Sequence, residues 1–464
     1  LYCLRFAARL RAMRTLLPLV ALISTPLAAQ EGAPADPAAQ VSQERLRADI
    51  DTLVSFGTRH TLSEQDNPKR GIGAAVDWGL AEFGRISADC GGCLEVVAPE
   101  RIEPAGGRLP RPTRLRNAVA IQRGTERPNE VVIVQGHIDS RASDVMDWES
   151  DAPGANDDGS GTVLVLEAAR NLSGNSYPVT IVYALLSGEE QGLYGGRLLA
   201  DYAEEQGWDV KAVLNNDIVG NSCSSDGFCD AEHVRVFSEG PRADLTDAVR
   251  AGQRREGGEN DSPSRNLSRW LDNLADETAG GLDVRQIWRV DRMGRGGDQI
   301  PFMEKGFPAI RIAVAVEDYD HQHQDLRTED GVIYGDTVDE MDFAYLAKVT
   351  QFNIRALDKL ARSPAPPASA AKAAVQTFTD VSWEKVPGAV GYTVWQRRTD
   401  EPYWREEPVI ENVVATNARL EGVRGDDWIF GVSATGADGV MSPVSSAVPA
   451  GQFEPLAAQK DDSE

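Results

Sequence analysis

The stretch VIVQGHIDSR, residues 132–141, places a histidine and an aspartate directly after a run of apolar residues. Valine and isoleucine favour strands, and a short apolar run that ends at a glycine is typical of a buried strand. We therefore expect a strand to end near Gly136, with His137 and Asp139 just beyond its carboxyl end. The chain contains only five histidines, and whether this one is functional depends on which polar residues lie at the same edge.

Apolar, strand-like runs alternate with helical ones after this stretch. Further strands are predicted at VTIVYALLS (179–187), VKAVLNND (210–217), HVRVFS (233–238) and FPAIRIAV (307–314). Helices are predicted from near Ser42 and at residues 161–172, 193–205, 242–254 and 338–360. Such alternation is typical of α/β proteins, so the sequence predicts a doubly wound, mostly parallel sheet.

The predicted domain organisation has six segments. Residues 1–29 have the pattern of a signal peptide, with a basic start, a short apolar run and small residues after Met13, which is a possible true start. The other segments are a disordered leader (30–41), the α/β domain (42–360), a Pro/Ala linker (361–375), a small all-β domain (376–450) and an acidic tail (451–464). We expect a secreted or periplasmic protein.

Composition and cysteine spacing narrow the possible functions. A net charge of -25 with no basic stripe argues against nucleic-acid binding, and no later apolar window reaches the length of a membrane span. The cysteines beyond the signal peptide form two close pairs, Cys90/Cys93 and Cys223/Cys229. In an exported protein they favour a disulfide within each pair, although four thiolates on one structural zinc ion would also fit.

Acidic residues and histidines follow several predicted strands. Besides His137, the candidates are Glu189 and Glu190 after the second strand, Asp217 at the end of the third, His321 and His323 after the last, and Asp157 and Asp158 ahead of the first helix that follows His137. The carboxyl ends of strands in an open α/β sheet form its ligand crevice, so these residues should converge. Each alone is more often structural. Together, imidazole and carboxylate groups predict a metal site, with bridging carboxylates suited to two ions.

Five motifs in this order also resemble a known family. HIDS (137–140), APGANDDGSG (152–161), SGEEQGLYG (187–195), NNDIVG (215–220) and a late HQ (323–324) are similar to motifs of the secreted co-catalytic di-zinc aminopeptidases. That family of zinc exopeptidases also includes glutamate carboxypeptidases and glutaminyl cyclases. The resemblance covers roughly residues 42–360. It implies the zinc exopeptidase fold, peptide substrates and two Zn²⁺ ions per chain, and it leaves the oligomeric state open.

The resemblance implies a role for each candidate. His137 and Asp217 would bind one zinc ion, Glu190 and His323 would bind the other, and Asp157 would bridge both. Glu189 would be the general base, and Asp139 would hold the second imidazole nitrogen of His137.

The other histidines, and one position where a histidine is absent, also bear on the site. His321 remains an alternative to His323, since DHQHQ offers both. Family members often have Asp-His where this chain has Asp298 and Gln299, so any help from that histidine is absent. His60 and His233 are expected to be surface or packing histidines, with His60 a weak candidate for the rim of the cleft.

The expected activity is hydrolysis at the N-terminal residue of peptides, because an acidic site attracts a free α-amino group. Two zinc ions would activate a bridging water, and Glu189 would accept its proton. Two alternatives remain open. One is a glutaminyl cyclase, which usually works with one zinc ion, and the other is an inactive binding protein that works through its C-terminal domain.

The C-terminal segment, residues 376–450, resembles a fibronectin type III sandwich. Trp383, Tyr392, Val394 and Phe430 fit the inner positions of its short strands. Trp395 and Trp404 are open to a second interpretation, as an exposed binding face.

Overall fold

The computed structural model of the chain describes residues 36–457, so the predicted signal peptide lies outside the described part. The strands before the last helix of the α/β region are β1 (Glu95–Val97), β2 (Glu100–Glu103), β3 (Thr113–Arg116), β4 (Ala118–Gln122), β5 (Arg127–His137), β6 (Val179–Leu186), β7 (Asp209–Asn216), β8 (His233–Phe237), β9 (Asp283–Ile287), β10 (Ala309–Val314), β11 (Arg327–Glu329) and β12 (Val332–Tyr334).

The helices are α1 (Gln43–Val54), α2 (Gly71–Asp89), α3 (Gly159–Leu172), α4 (Glu189–Gly192), α5 (Tyr194–Glu205), α6 (Asp247–Glu256), α7 (Pro263–Asp276), α8 (Ile300–Glu304) and α9 (Phe343–Arg362). Short 3-10 turns lie at Val338–Glu340 and Gly425–Asp427. The helix predicted at 338–360 begins at Phe343, five residues later than predicted. Asp342 caps this end of α9, because its side chain accepts from the backbone N–H groups of Ala344 and Tyr345. Helices α2 and α7 were not predicted.

An eight-stranded sheet in the order β1-β4-β6-β5-β7-β10-β8-β9 forms the centre of the α/β region. The four middle strands β6, β5, β7 and β10 run parallel, whereas β4 pairs antiparallel with β6 and β8 pairs antiparallel with β10. The predicted α/β fold and its mostly parallel sheet are therefore confirmed. The carboxyl ends of the four middle strands share one edge.

Helices cover both faces of this sheet. In β5, Val132 and Val134 belong to a core cluster shared with α1, α3 and α9, while Val131 and Ile133 belong to a second cluster shared with α5 and α8. Successive side chains of a strand point to opposite faces. Burial on both faces explains why the strand is apolar throughout rather than alternating.

The C-terminal region consists of two antiparallel sheets. Its strands are β13 (Ser369–Lys372), β14 (Phe378–Trp383), β15 (Gly391–Arg398), β16 (Ile410–Val413), β17 (Asn417–Glu421), β18 (Trp428–Thr435) and β19 (Ser445–Ser446). They form the sheets β13-β14-β17 and β16-β15-β18-β19. Trp383, Tyr392, Val394 and Phe430 are all buried, as predicted. The specific likeness to fibronectin type III stays a prediction.

The C-terminal sheets pack directly on the α/β region, so the predicted flexible linker does not separate the two regions. Of the predicted linker 361–375, the first two residues continue α9 and residues 369–372 form β13. Asp261, just before α7, accepts from the guanidinium of Arg397 at 2.5 Å, and both side chains are almost fully buried. The indole N–H of Trp404 donates to Asn266 on α7 at 3.2 Å, so Trp404 serves this packing. The indole of Trp395 donates to Ser433 within the sandwich.

Both ends of the described region form contacts with the rest of the fold. Part of the predicted disordered leader has defined structure, because Asp36 pairs with Arg355 at 2.7 Å and Ala38 is fully buried. At the other end, Arg242 donates to the carbonyl groups of Gln452 and Glu454, so the start of the predicted acidic tail is bound too.

The cysteines form disulfides within each pair, Cys90–Cys93 and Cys223–Cys229. This confirms the predicted pairing and excludes a zinc site of four thiolates. Within residues 36–457 no helix has the length and hydropathy needed to cross a bilayer.

Candidate metal centre

The candidate residues meet at the carboxyl edge of the four parallel middle strands. His137 is the last residue of β5, Glu189 and Glu190 begin α4 just after β6, Asp217 directly follows β7, and His323 lies in the loop after β10. Asp157 lies in the loop between β5 and α3. Residues that span nearly 190 positions of sequence therefore share one site. This is the convergence that the strand-end pattern predicted.

Asp157 lies between two groups of potential ligands. Its Oδ1 is 3.2 Å from Nε2 of His137, and its Oδ2 is 2.8 Å from Nε2 of His323. On the first side, Oδ1 of Asp217 lies 4.0 Å from the same His137 nitrogen. On the second side, Oε1 of Glu190 lies 3.0 Å from the His323 nitrogen. Each group offers ligand atoms within 4.8 Å of one another, and Asp157 belongs to both.

Asp139 organises the ends of two strands. Its carboxylate accepts from the backbone N–H groups of Glu189 and Glu190, both at 3.2 Å, and from the hydroxyl of Thr61 at 3.0 Å. Nδ1 of His137 lies 3.1 Å from the Asp139 carbonyl oxygen and 3.5 Å from its carboxylate. Such a contact at Nδ1 leaves Nε2 of His137 to face Asp157. Asp139 thus orients both His137 and the Glu189–Glu190 pair.

Asp158 links the segments around the site through backbone hydrogen bonds. The sequence did not predict this role. Its carboxylate accepts from the backbone N–H groups of His137 (2.9 Å), Gly161 (2.9 Å) and Ile218 (3.2 Å). The contact with Gly161 also caps α3. Gly136 and Gly161 let β5 and α3 approach closely, since a Cβ on Gly136 would lie 2.7 Å from the Gly161 carbonyl carbon.

Three more supporting residues were missed. Asp336 accepts from the backbone N–H groups of Asn156 and Asp157, both at 2.7 Å, and thereby fixes the loop that carries Asp157. Gln322 donates to Oδ2 of Asp157 at 3.2 Å. Arg311 donates to Oδ1 of Asp217 at 2.8 Å and is fully buried. The one available signal was Arg311, a charge inside the apolar run of β10.

The two histidines of DHQHQ point to different places. The Nδ1 atom of His321 lies 2.7 Å from the carbonyl oxygen of Gly335, and this histidine groups with Asp318 and Glu340 instead of Asp157. His323 contacts Asp157 and Glu190. Of these two histidines, His323 is therefore the one that lies with Asp157 and Glu190.

The remaining positions that the sequence singled out lie away from the ligand groups. His60 is buried and contacts Val145 and Gln191, which is a packing role. His233 lies 2.9 Å from Asp230, and Gln299 is buried against Asn215.

Burial and crowded charges shape the electrostatics of the site. Burial raises the pKa of Glu189 well above that of a solvated glutamate, and the carboxylates of Glu190 and Asp217 add to the shift. Burial lowers the pKa of His323, but Glu190 and Asp157 outweigh it and raise that pKa to about 9. A metal ion would therefore compete with protons for these ligands.

A cleft of about 640 Å³ opens over these groups. Its walls include the metal-ligand candidates, Glu189, the glycine-rich segment 294–296 and the arginines Arg108, Arg141, Arg292 and Arg295. This volume lies within the range of small-molecule binding sites, about 300–1,000 Å³.

Comparisons with known proteins agree with this geometry. Residues 117–341 match Peptidase family M28. The chain is 41% identical to a probable zinc metalloprotease of Leptosphaeria maculans over 87% of this chain and 94% of that protein. It is 39% identical to one of Pyrenophora teres f. teres over 89% of this chain and 86% of that protein. The LapA aminopeptidase of Legionella pneumophila superposes with a TM-score of 0.51 at 18% identity, over 70% of this chain and 73% of that chain, which shows the shared fold alone.

Proposed function

The chain belongs to peptidase family M28, and on that premise we propose that it is a zinc exopeptidase, specifically a di-zinc aminopeptidase that removes N-terminal residues from peptides. One observation carries the proposal. The two carboxylate oxygens of Asp157 face two different histidines, at 3.2 and 2.8 Å, and each histidine has a further carboxylate beside it. A carboxylate that serves two ligand groups is what a two-metal hydrolytic site requires.

The donor set suits zinc. His137 and Asp217 would hold one ion, Glu190 and His323 the other, and Asp157 both. Imidazole and carboxylate are common zinc ligands, and these side chains are buried or nearly so. When bound, zinc lowers the pKa of a water ligand from about 15.7 towards about 7 and polarises a carbonyl group.

The protein's own residues then supply the proton transfers. Glu189 takes a proton from the attacking water and returns it to the leaving amine. Asp139 supports this role as a positioning residue, because it holds the backbone N–H of Glu189 at 3.2 Å. The carboxylates at the floor of the cleft suit the free α-amino group of a substrate.

Export is part of the proposal. The two disulfides are typical of proteins that fold in an oxidising compartment, and the pattern of residues 1–29 is that of a signal peptide. We infer a secreted or periplasmic enzyme.

Two variants of neighbouring glutamates test the mechanism. Glu190→Ala should lose metal at one site, and its activity on aminoacyl-nitroanilides should fall as a consequence. Glu189→Gln should keep two zinc ions by elemental analysis and near-normal KM, while kcat falls by about 10²–10⁴-fold, the usual size of general-base catalysis.

The matched control is Glu205→Gln, since Glu205 is an exposed glutamate at the end of α5. It should change neither zinc content nor kcat. A Glu189→Gln enzyme with near-normal turnover, or one short of zinc, would remove Glu189 from this role. A fully loaded wild-type enzyme with one zinc ion per chain would favour the glutaminyl cyclase alternative. Absence of any hydrolysis by the loaded enzyme would favour the inactive binding protein.

A further inference from the structure

Four arginines line the cleft, and they differ in how their charge is balanced. Arg292 is neutralised within the protein, since it pairs with Asp291 at 3.1 Å and Glu317 at 3.0 Å. The other three, Arg108, Arg141 and Arg295, have no comparably close carboxylate partner in the described part of the chain. Their charge is therefore available to a ligand.

Backbone carbonyl groups hold two of these arginines in place without neutralising them. Arg108 donates through Nη1 to the carbonyl of Glu190 at 2.7 Å. Arg141 donates through Nε to the carbonyl of Ala142 at 3.0 Å and through Nη2 to that of Ser143 at 2.8 Å. The remaining Nη1 of Arg141 lies 4.0 Å from Oε2 of Glu190, which is beyond hydrogen-bond length.

Arg295 lines the cleft from a different segment of the chain. It lies in the segment 294–296 that follows Arg292, its side chain is exposed, and within residues 36–457 its guanidinium has no hydrogen-bond or ion-pair partner. Three arginines thus line one cleft. Backbone carbonyl groups hold the side chains of Arg108 and Arg141, while that of Arg295 is exposed.

The balance of charges around the cleft also favours a negatively charged ligand. The cleft also contains four carboxylates, those of Asp157, Glu189, Glu190 and Asp217. Two divalent ions, as in the proposed function, would offset those four charges and leave the three arginines in excess. In a chain with 72 acidic and only 47 basic side chains, such an excess in one cleft needs a ligand to explain it. Guanidinium groups bind carboxylates in a bidentate manner.

We propose that Arg108, Arg141 and Arg295 form a carboxylate-binding subsite, so that preferred substrates carry a carboxylate close to the scissile bond. This inference rests on the proposed function and narrows its substrate class. The carboxylate has two possible sources, the C-terminus of a very short peptide or the side chain of an acidic residue. In either case the enzyme prefers short or acidic peptides to neutral ones.

Matched substrates test the proposal with the zinc-loaded full chain. The C-terminal source is tested with Ala-Ala against Ala-Ala amide, and the side-chain source with glutamyl- against glutaminyl-nitroanilide. One pair should show a kcat/KM at least about tenfold higher for the acid, the size expected for one charge-assisted hydrogen bond. Arg295→Gln and Arg141→Gln should each reduce that ratio about tenfold, whereas Arg114→Gln, an exposed arginine paired with Glu100 outside the cleft, should leave it unchanged.

A binding measurement separates this inference from the proposed function. In calorimetry with the Glu189→Gln protein, Ala-Ala or free glutamate should bind at least about tenfold more tightly than its amide. Arg295→Gln in that background should abolish the difference. Equal binding of acid and amide for both pairs would overturn the subsite, whether or not the wild-type enzyme hydrolyses peptides. Absence of hydrolysis together with selective carboxylate binding would overturn the proposed function and leave the subsite standing.

Discussion

Replacing Asp261 by alanine should strongly destabilise the whole described unit. Asp261 and Arg397 join the α/β region to the C-terminal sheets, their N–O distance is 2.5 Å, and their side chains are only 2% and 3% exposed. The second carboxylate oxygen of Asp261 accepts from Ser446 at 2.9 Å, and the guanidinium of Arg269 lies 3.8 Å from it. The variant therefore leaves two buried guanidinium groups without their carboxylate.

The magnitude follows from that burial. Removing one partner of a buried ion pair costs about 3–5 kcal/mol, because the remaining charge is desolvated without compensation. Total stabilities are about 5–15 kcal/mol, so the loss is a large share of the whole. Asp380→Ala is the matched control. Asp380 pairs with Arg419 at 2.7 Å, but the side chains are 40% and 52% exposed, so water screens the pair and we expect a much smaller loss than for Asp261→Ala.

Urea denaturation followed by circular dichroism and tryptophan fluorescence measures both losses. A single transition that moves to lower urea for Asp261→Ala would show that the two regions unfold together. The reasoning fails if Asp261→Ala is as stable as Asp380→Ala. It also fails if an early transition of the sandwich leaves the α/β region with its wild-type midpoint, because the interface would then not couple the regions.

Two further predictions concern single side chains. Burial lowers the pKa of Lys211 to about 7, whereas the pKa of an unfolded lysine is about 10.4. Between these two pH values the unfolded chain binds more protons than the folded one. Lys211 therefore makes the free energy of unfolding increase with pH across that window. Lys211→Met should therefore flatten the pH dependence of Tm between about pH 7 and pH 10, and a slope as steep as the wild-type one would contradict this. Because Lys211 donates to the Ser363 carbonyl at 2.7 Å and lies 3.8 Å from Glu130, the variant should also have a lower Tm at pH 7. His323→Ala should lose about one zinc ion per chain by elemental analysis, whereas His321→Ala should keep both, and the reverse result would exchange their roles.

Much of the fold could be read from the order of residues. The apolar runs that became β5, β6, β7, β8 and β10 are buried strands, and the polar residues at their ends were expected to converge. Convergence follows from topology alone, because the carboxyl ends of parallel strands share an edge. Helices α2 and α7 escaped prediction, since one begins with glycines and the other carries buried polar residues such as Asn266.

The supporting residues of the site could not be predicted in the same way. Asp336 holds the backbone of Asn156 and Asp157 from about 180 positions away in sequence, and neither its type nor its spacing announces that contact. The coupling of the C-terminal sheets to α7 escaped prediction for a similar reason. A segment rich in proline and alanine suggests a spacer, yet here it is continuous with α9 and β13.

The sequence by itself determined which chemical groups meet at the candidate metal centre, because residue type and strand-end position follow from local pattern. Only the tertiary structure decided how they are aimed. His321 and His323 are two residues apart in a loop without periodicity, so their directions depend on packing: a contact with the Gly335 carbonyl holds one away, while Asp157 and Glu190 face the other. Likewise, three arginines from separate segments line the same cleft only because the fold brings those segments together.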